Sequence, residues 1–173
     1  MGTIIGQLKG FARKSHETVA TVDLSQSIEA SARLVRNDFQ RNAVQLEIEI
    51  RDAVEVVGDA VRTEQVLINL MRNALDAVDD VAEKKVQVTL TRDGADAVIY
   101  IRDSGAGIPA QVVSHLFEPF FTTKPSGKGL GLGLAISSSI VQAMNGQLAA
   151  HNHPDGGAEF VVRLPAVPAL DGD

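Results

Sequence analysis

The sequence predicts a two-layer α+β sandwich in a single domain. Helical and β-rich segments alternate along it, several strand candidates fall in hairpin-like pairs, and 173 residues of 45% hydrophobic content suffice to bury one core. Positions 3–17 place Ile4, Ile5, Leu8 and Phe11 at helical spacing and read as the tail of a longer helix. Positions 21–24 form a short extended candidate, after which Ser25, with Glu29 nearby, is expected to cap a helix running to about Arg41. Strict alternation of Leu46, Ile48 and Ile50 marks a strand over 45–50, and 54–57 is expected to pair with it. No breaker interrupts 61–83, which predicts one long helix, and the β-rich runs 86–91 and 97–102 flank the turn signal Asp93-Gly94. Positions 109–116 suit a short helix, 117–128 are irregular, and 132–144 are helical until Asn145-Gly146. Two last strands, 147–150 and 158–164, are joined through His153-Pro154-Asp155-Gly156-Gly157, and the tail after Pro165 is expected to fray. The expected division is 1–20, then a domain over 21–165, then a disordered tail over 166–173.

Composition removes several function classes. The net charge of −6 argues against a nucleic-acid partner, because phosphate neutralisation needs clustered Lys and Arg. No cysteine is present, so disulfides, thiolate nucleophiles and thiolate metal sites are excluded. No apolar run approaches the roughly 18 to 20 residues of a membrane span, and the first twenty residues lack a signal-peptide core. The chain is expected to be soluble and not inserted in a membrane.

Two glycine-bearing motifs carry the chemistry. In Asp103-Ser104-Gly105-Ala106-Gly107-Ile108-Pro109 a carboxylate ends a β-rich run. A turn Asp before Gly explains only its beginning. The functional reading is that Asp103 accepts a hydrogen bond from an adenine amino group while Gly105 and Gly107 let the base approach the backbone. An unpaired buried acceptor costs about 1–3 kcal/mol, so this site discriminates against guanine. In Gly127-Lys128-Gly129-Leu130-Gly131-Leu132-Gly133, glycines alternate with Lys128, Leu130 and Leu132 just before a helical segment. Flexible linkers do not carry Leu at every second position, whereas amides at a helix N-terminus bind phosphate. The spacing matches neither a Walker A loop nor a dinucleotide fingerprint. Between the two motifs, Phe117-Glu118-Pro119-Phe120-Phe121-Thr122-Thr123-Lys124 holds three of the six phenylalanines and leaves Lys124 free to reach a terminal phosphate.

The predicted long helix adds a polar stripe. At 100° per residue Arg62, Gln65, Asn69, Asn73 and Asp76 share one face, opposite Leu67, Met71, Ala74 and Val78. A solvated face accounts for the stripe, yet Asn is a poor helix former, and two of them a turn apart stand against propensity. A side-chain carbonyl oxygen suits Mg²⁺, which needs only one or two protein oxygens beside waters and phosphates, so Asn73 is the candidate metal ligand.

Taken together, residues 69–77 (Asn-Leu-Met-Arg-Asn-Ala-Leu-Asp-Ala), 103–107, 117–124 and 127–133 resemble the N, G1, F and G2 boxes of sensor histidine kinases. These kinases belong to the ATPase superfamily that also holds gyrase, Hsp90 and MutL, and the F box separates them from that branch. The resemblance covers about residues 61–164. Gly10-Phe11-Ala12-Arg13-Lys14 and the form of the 129–134 run also resemble the C4-dicarboxylate transport sensor kinases. The resemblance implies a Bergerat-type sandwich holding ATP between the long helix and a mobile lid of residues 110–131. It implies Asn73 on Mg²⁺ and Asp103 on adenine beside Gly105, Gly107 and Ile108. Thr123, Lys124, Lys128 and the backbone of Gly129, Leu130, Gly131, Leu132 and Gly133 are then expected on the phosphates. Asn69 stands where gyrase-type ATPases carry a water-activating Glu, and an amide cannot act as that base. Asp76 departs from the Lys or Arg of many family members, so Arg72 or Lys128 is expected to supply that part of the phosphate clamp. Ala158 stands where a Thr or Ser often follows the glycine.

The family's phospho-acceptor is a His on the first helix of a dimerisation hairpin, followed closely by Pro. His16-Glu17 lacks that Pro, and His115, His151 and His153 fall in other contexts. The resemblance therefore implies a catalytic domain, with 1–20 a remnant of the second hairpin helix, that binds Mg·ATP without phosphorylating itself. The expected partners are a dimerisation domain bearing the acceptor His and, indirectly, a response regulator. The expected location is the cytoplasmic part of an inner-membrane sensor. Two other readings stay open: a serine kinase or anti-sigma-like switch of the same fold, and a nucleotide-gated interaction module without transferase activity.

Overall fold

The computed structural model describes residues 19–121 and 133–168. In chain order it holds β1 (Val19–Asp23), α1 (Leu24–Arg41), β2 (Gln45–Ile50), β3 (Glu55–Asp59), α2 (Ala60–Ala77), β4 (Lys85–Asp93), β5 (Asp96–Asp103), α3 (Ala110–Val113), α4 (Gly133–Ala143), β6 (Gln147–Asn152) and β7 (Ala158–Pro165). Five strands form one sheet in the order β2-β4-β5-β7-β6, and β1 pairs with β3 in a separate ribbon. Only β2 and β4 run parallel; the other pairs are antiparallel. The mixed, largely antiparallel sheet with helices on one side is the sandwich the sequence predicts.

Alternation decides which side of the sheet is dry. Val86, Val88 and Leu90 of β4, Ile99 and Ile101 of β5, and Phe160, Val162 and Leu164 of β7 fall in register across the strands and are all buried. Against them pack Leu67, Leu70, Met71 and Ala74 of α2 and Ile28, Val35 and Phe39 of α1. The apolar arc of α2 is the one its sequence periodicity gives.

Four boundaries differ from expectation. Asp23, not Ser25, caps α1: its Oδ1 accepts from the amides of Ser25 at 2.9 Å and Gln26 at 3.4 Å. Asp23 holds the cap because it ends β1 in extended conformation, which aims its short carboxylate at the first turn. Helix α2 stops at Ala77, where Val78 turns into the core, instead of running to about Glu83. Asp76, Asp79 and Asp80 would crowd the negative end of a longer helix. The segment expected to pair with β2 instead pairs with β1, with Val22 opposite Val56. β2 is free to take β4 in parallel because the connection through α2 is long enough for a crossover. Finally, residues expected to fray are fixed: the Ala166 amide donates to Ala95 O at 2.9 Å and the Val167 amide to Glu55 O at 2.8 Å. The helical segment expected at 3–17 and the last residues 169–173 lie outside the described residues.

Candidate functional site

Strand alternation continues to the last residue of β5 and puts a carboxylate where the pattern otherwise puts Ile. Asp103 faces inward like Ile99 and Ile101, pairs with Val86 across the sheet, and is only 3% exposed. Its Oδ1 accepts from the Gly105 amide at 2.8 Å and the Ala158 amide at 3.3 Å. No described residue donates to Oδ2, which leaves that oxygen as an acceptor for a ligand. Burial pushes the carboxyl above the usual carboxylate range, and the two amides oppose the shift.

The loop after Asp103 is tied down on both sides. Ser104 Oγ donates to Glu83 O at 2.7 Å and accepts from the Lys85 amide at 2.9 Å, which anchors the loop to the start of β4. Gly107 has a φ of +92°, and a Cβ there would lie 2.8 Å from Asn152 Oδ1. The side-chain space absent at Gly107, expected to admit a base, is taken by Asn152 of β6. The same Asn152 brackets Ile108, accepting from its amide at 2.6 Å and donating to its carbonyl at 2.9 Å. Gly157, at φ +81°, backs onto the Asp103 carbonyl so closely that a Cβ would overlap it. The turn between β6 and β7 thus braces both Asp103 and the 107–108 loop.

Helix α2 packs across β5 and supplies the other wall. Asn69 donates from Nδ2 to Ser137 Oγ of α4 at 3.0 Å, and Gly133 opens α4 directly against Asn69. Asn73 is half-buried and has no hydrogen-bond partner among the described residues. Arg72 points elsewhere: its guanidinium lies 3.5 Å from the Asp38 carboxylate on α1. Within the polar stripe Asn69 is thus bonded to α4 while Asn73 meets no hydrogen-bonding partner among the described residues, and Arg72, beside the stripe, is turned toward α1.

The phenylalanines divide as well. Phe117 packs edge-on against Phe160 with centroids 6.4 Å apart, Phe121 lies 5.4 Å from the His115 ring, and Phe120 is 73% exposed with a φ of +67°. Of Phe117, Phe120 and Phe121, Phe117 alone packs against the core. His115 pairs with Glu118 and His151 with Glu159. No group of three or more His, Asp or Glu side chains able to hold a metal ion occurs among the described residues. Thr123, Lys124, Lys128, Gly129, Leu130, Gly131 and Leu132 lie outside the described residues.

Asn152, Ser104 and the Ala158 amide escape sequence reasoning. Ala158 draws notice in the sequence only for its missing hydroxyl, whereas the structure uses its backbone. Asn152 lies far from Ile108 along the chain and carries no local signal.

A family model described as "Histidine kinase-, DNA gyrase B-, and HSP90-like ATPase" matches residues 58–168. The C4-dicarboxylate transport sensor protein DctB of Pseudomonas aeruginosa is 37% identical over 99% of this chain, which corresponds to 28% of that protein. The sensor protein FixL of Bradyrhizobium diazoefficiens is 35% identical over 95% of this chain and 33% of its own length. This chain thus spans between about a quarter and a third of those curated relatives. Among solved structures, the catalytic domain of histidine kinase ThkA superposes with a TM-score of 0.76 at 28% identity, covering 85% of this chain and 95% of that one. The sheet order, the wall formed by α2 and the carboxylate at the end of β5 thus occur in a chain of the histidine kinase-, DNA gyrase B- and HSP90-like ATPase family, to which this protein belongs as a catalytic domain of the sensor histidine kinase type.

Proposed function

We propose that the domain binds Mg·ATP between α2 and the loop following β5 and presents the γ-phosphate to a His on a separate dimerisation hairpin. The observation that carries this reading is Asp103: a nearly fully buried carboxylate whose Oδ1 is occupied by two backbone amides and whose Oδ2 awaits a donor. The adenine amino group is such a donor, and Ile108 of the following loop offers an apolar surface to the ring. A solved relative, full-length ShkA in complex with AMPPNP, is 26% identical with a TM-score of 0.77 and covers 89% of this chain and 32% of that one, which supports binding of a nucleotide by this domain.

The donor set suits Mg²⁺, since Asn73 is half-buried, carries a hard oxygen and is engaged by no described side chain. Bound there, the ion neutralises charge on the phosphate oxygens. Asn73 supplies one oxygen ligand, and Thr123, Lys124, Lys128 and the backbone of 129–133 hold the phosphates. Arg72 joins them only by giving up Asp38. Asn69, bonded to Ser137 and lacking a titratable proton acceptor, leaves ATP unhydrolysed until an acceptor arrives. Transfer is then chiefly a matter of positioning and charge neutralisation. A response regulator then receives the phosphoryl group from the hairpin, and use of ATP fits a domain that forms the cytoplasmic part of an inner-membrane sensor.

Calorimetric titration of ATP into the parent and Asp103→Ala, with and without Mg²⁺, tests the reading. The expected result is binding by the parent that Mg²⁺ strengthens and that falls about tenfold to a hundredfold in Asp103→Ala. Equal affinity in the two proteins removes adenine from Asp103.

A further inference from the structure

Asn152 contributes a side chain where a backbone partner is expected. The 107–108 segment leaves the end of β5 and runs past the end of β6, where no described strand pairs with it. The Asn152 carboxamide takes that place: Oδ1 accepts from the Ile108 amide at 2.6 Å and Nδ2 donates to the Ile108 carbonyl at 2.9 Å. An amide side chain carries the same donor and acceptor as a peptide unit and so satisfies both backbone groups of one residue. Gly107 answers to the same contact, because its φ of +92° and the 2.8 Å approach of Asn152 Oδ1 to any Cβ there both exclude a side chain.

Asn152 also stands opposite Ala158 in the β6–β7 ladder, and it is the Ala158 amide that holds Asp103 Oδ1. One rung of that ladder therefore fixes two points: Asp103 through the Ala158 backbone and Ile108 through the Asn152 side chain. Their separation and relative tilt are set from outside the loop that joins them.

We infer that Asn152 is a positioning residue for the purine, locking Ile108 at a fixed offset from the Asp103 carboxylate. The inference rests on the assignment of adenine to Asp103. Asn152 itself is exposed and touches the proposed ligand only through Ile108. A preformed clamp spares the ligand the entropy of ordering the loop, so its loss lowers affinity while leaving the core intact.

The test compares the parent, Asn152→Ala, Asn152→Asp and Asp103→Ala by ATP calorimetry, thermal melting and hydrogen exchange of the Ile108 amide in the free protein. Asn152→Ala is expected to lose about tenfold in ATP affinity and to speed Ile108 exchange, with Tm close to the parent. Asn152→Asp is expected to do no better, because a carboxylate has no proton for the Ile108 carbonyl and faces it with like charge; a residue that only fills space would be rescued by Asp. Parent-like affinity or parent-like Ile108 exchange in Asn152→Ala overturns the inference, as does full rescue by Asp. Loss in Asp103→Ala but not in Asn152→Ala sinks this inference alone, whereas a parent indifferent to ATP, or to Asp103→Ala, sinks the adenine assignment and the inference with it.

Discussion

Asp103 serves two opposed demands. Its position in the β5 alternation takes the carboxylate out of water, and desolvation raises its pKa above the ordinary carboxylate value despite the Gly105 and Ala158 amides. A raised folded-state pKa gives stability that is fully present below the unfolded value and lost as pH rises through the folded value. At neutral pH, above the ordinary carboxylate value, Asp103 therefore weighs against the free protein's stability. Asp103→Asn keeps an oxygen for the two amides and removes the charge. It is expected to raise Tm at pH 7, with the gain shrinking as acid protonates Asp103 in the parent. The same variant turns an amide donor toward the adenine amino group and should lose ATP affinity. Thermal melts across pH decide the first point: an Asn variant melting below the parent at pH 7 would show that burial of the charge is not a net cost.

At the scale of elements, the turn between β6 and β7 does more than join two strands. Gly157 lies against the Asp103 carbonyl in a backbone conformation that disfavours side chains. Gly157→Ala is expected to cost about 2 kcal/mol or more, through strain plus displacement of β5 from the turn, as read by urea denaturation. A change under about 0.5 kcal/mol would mean that the turn shifts freely and does not brace Asp103. The helix boundaries teach a related lesson. Asp23 and Asp59 each end a strand of the small ribbon and cap the helix that follows, so strand and cap are one local feature. The early stop of α2 was equally legible, since Asp76, Asp79 and Asp80 lie where a helix terminus repels anions. The pairing of β2 with β4, by contrast, has no local signal in either strand.

For the whole molecule, the proposed nucleotide site draws on α2, the end of β5, the start of α4 and the β6–β7 turn, with residues far apart in sequence. Among the described residues no histidine is placed as an acceptor: His115 and His151 pair with glutamates and His153 Nδ1 receives the Asp155 amide, while His16 lies outside them. With labelled ATP, the chain alone is expected to gain no phosphohistidine, and an added dimerisation hairpin of the family type is expected to gain it. Label on the chain itself would refute the division of labour, and label on Ser of an added partner would favour the serine kinase reading.

The sequence by itself determined the sandwich, the buried face of α2, the β4–β5 hairpin and the inward carboxylate at the end of β5. Periodicity, turn chemistry and motif spacing are local and survive being read as a string. Only the tertiary structure decided that β3 joins β1, that Arg72 engages Asp38, and that Asn152 and the Ala158 amide hold the loop and carboxylate of the site. Those choices depend on which distant donors and acceptors meet once the core has closed. Buried polar groups must then find partners wherever the fold has put them.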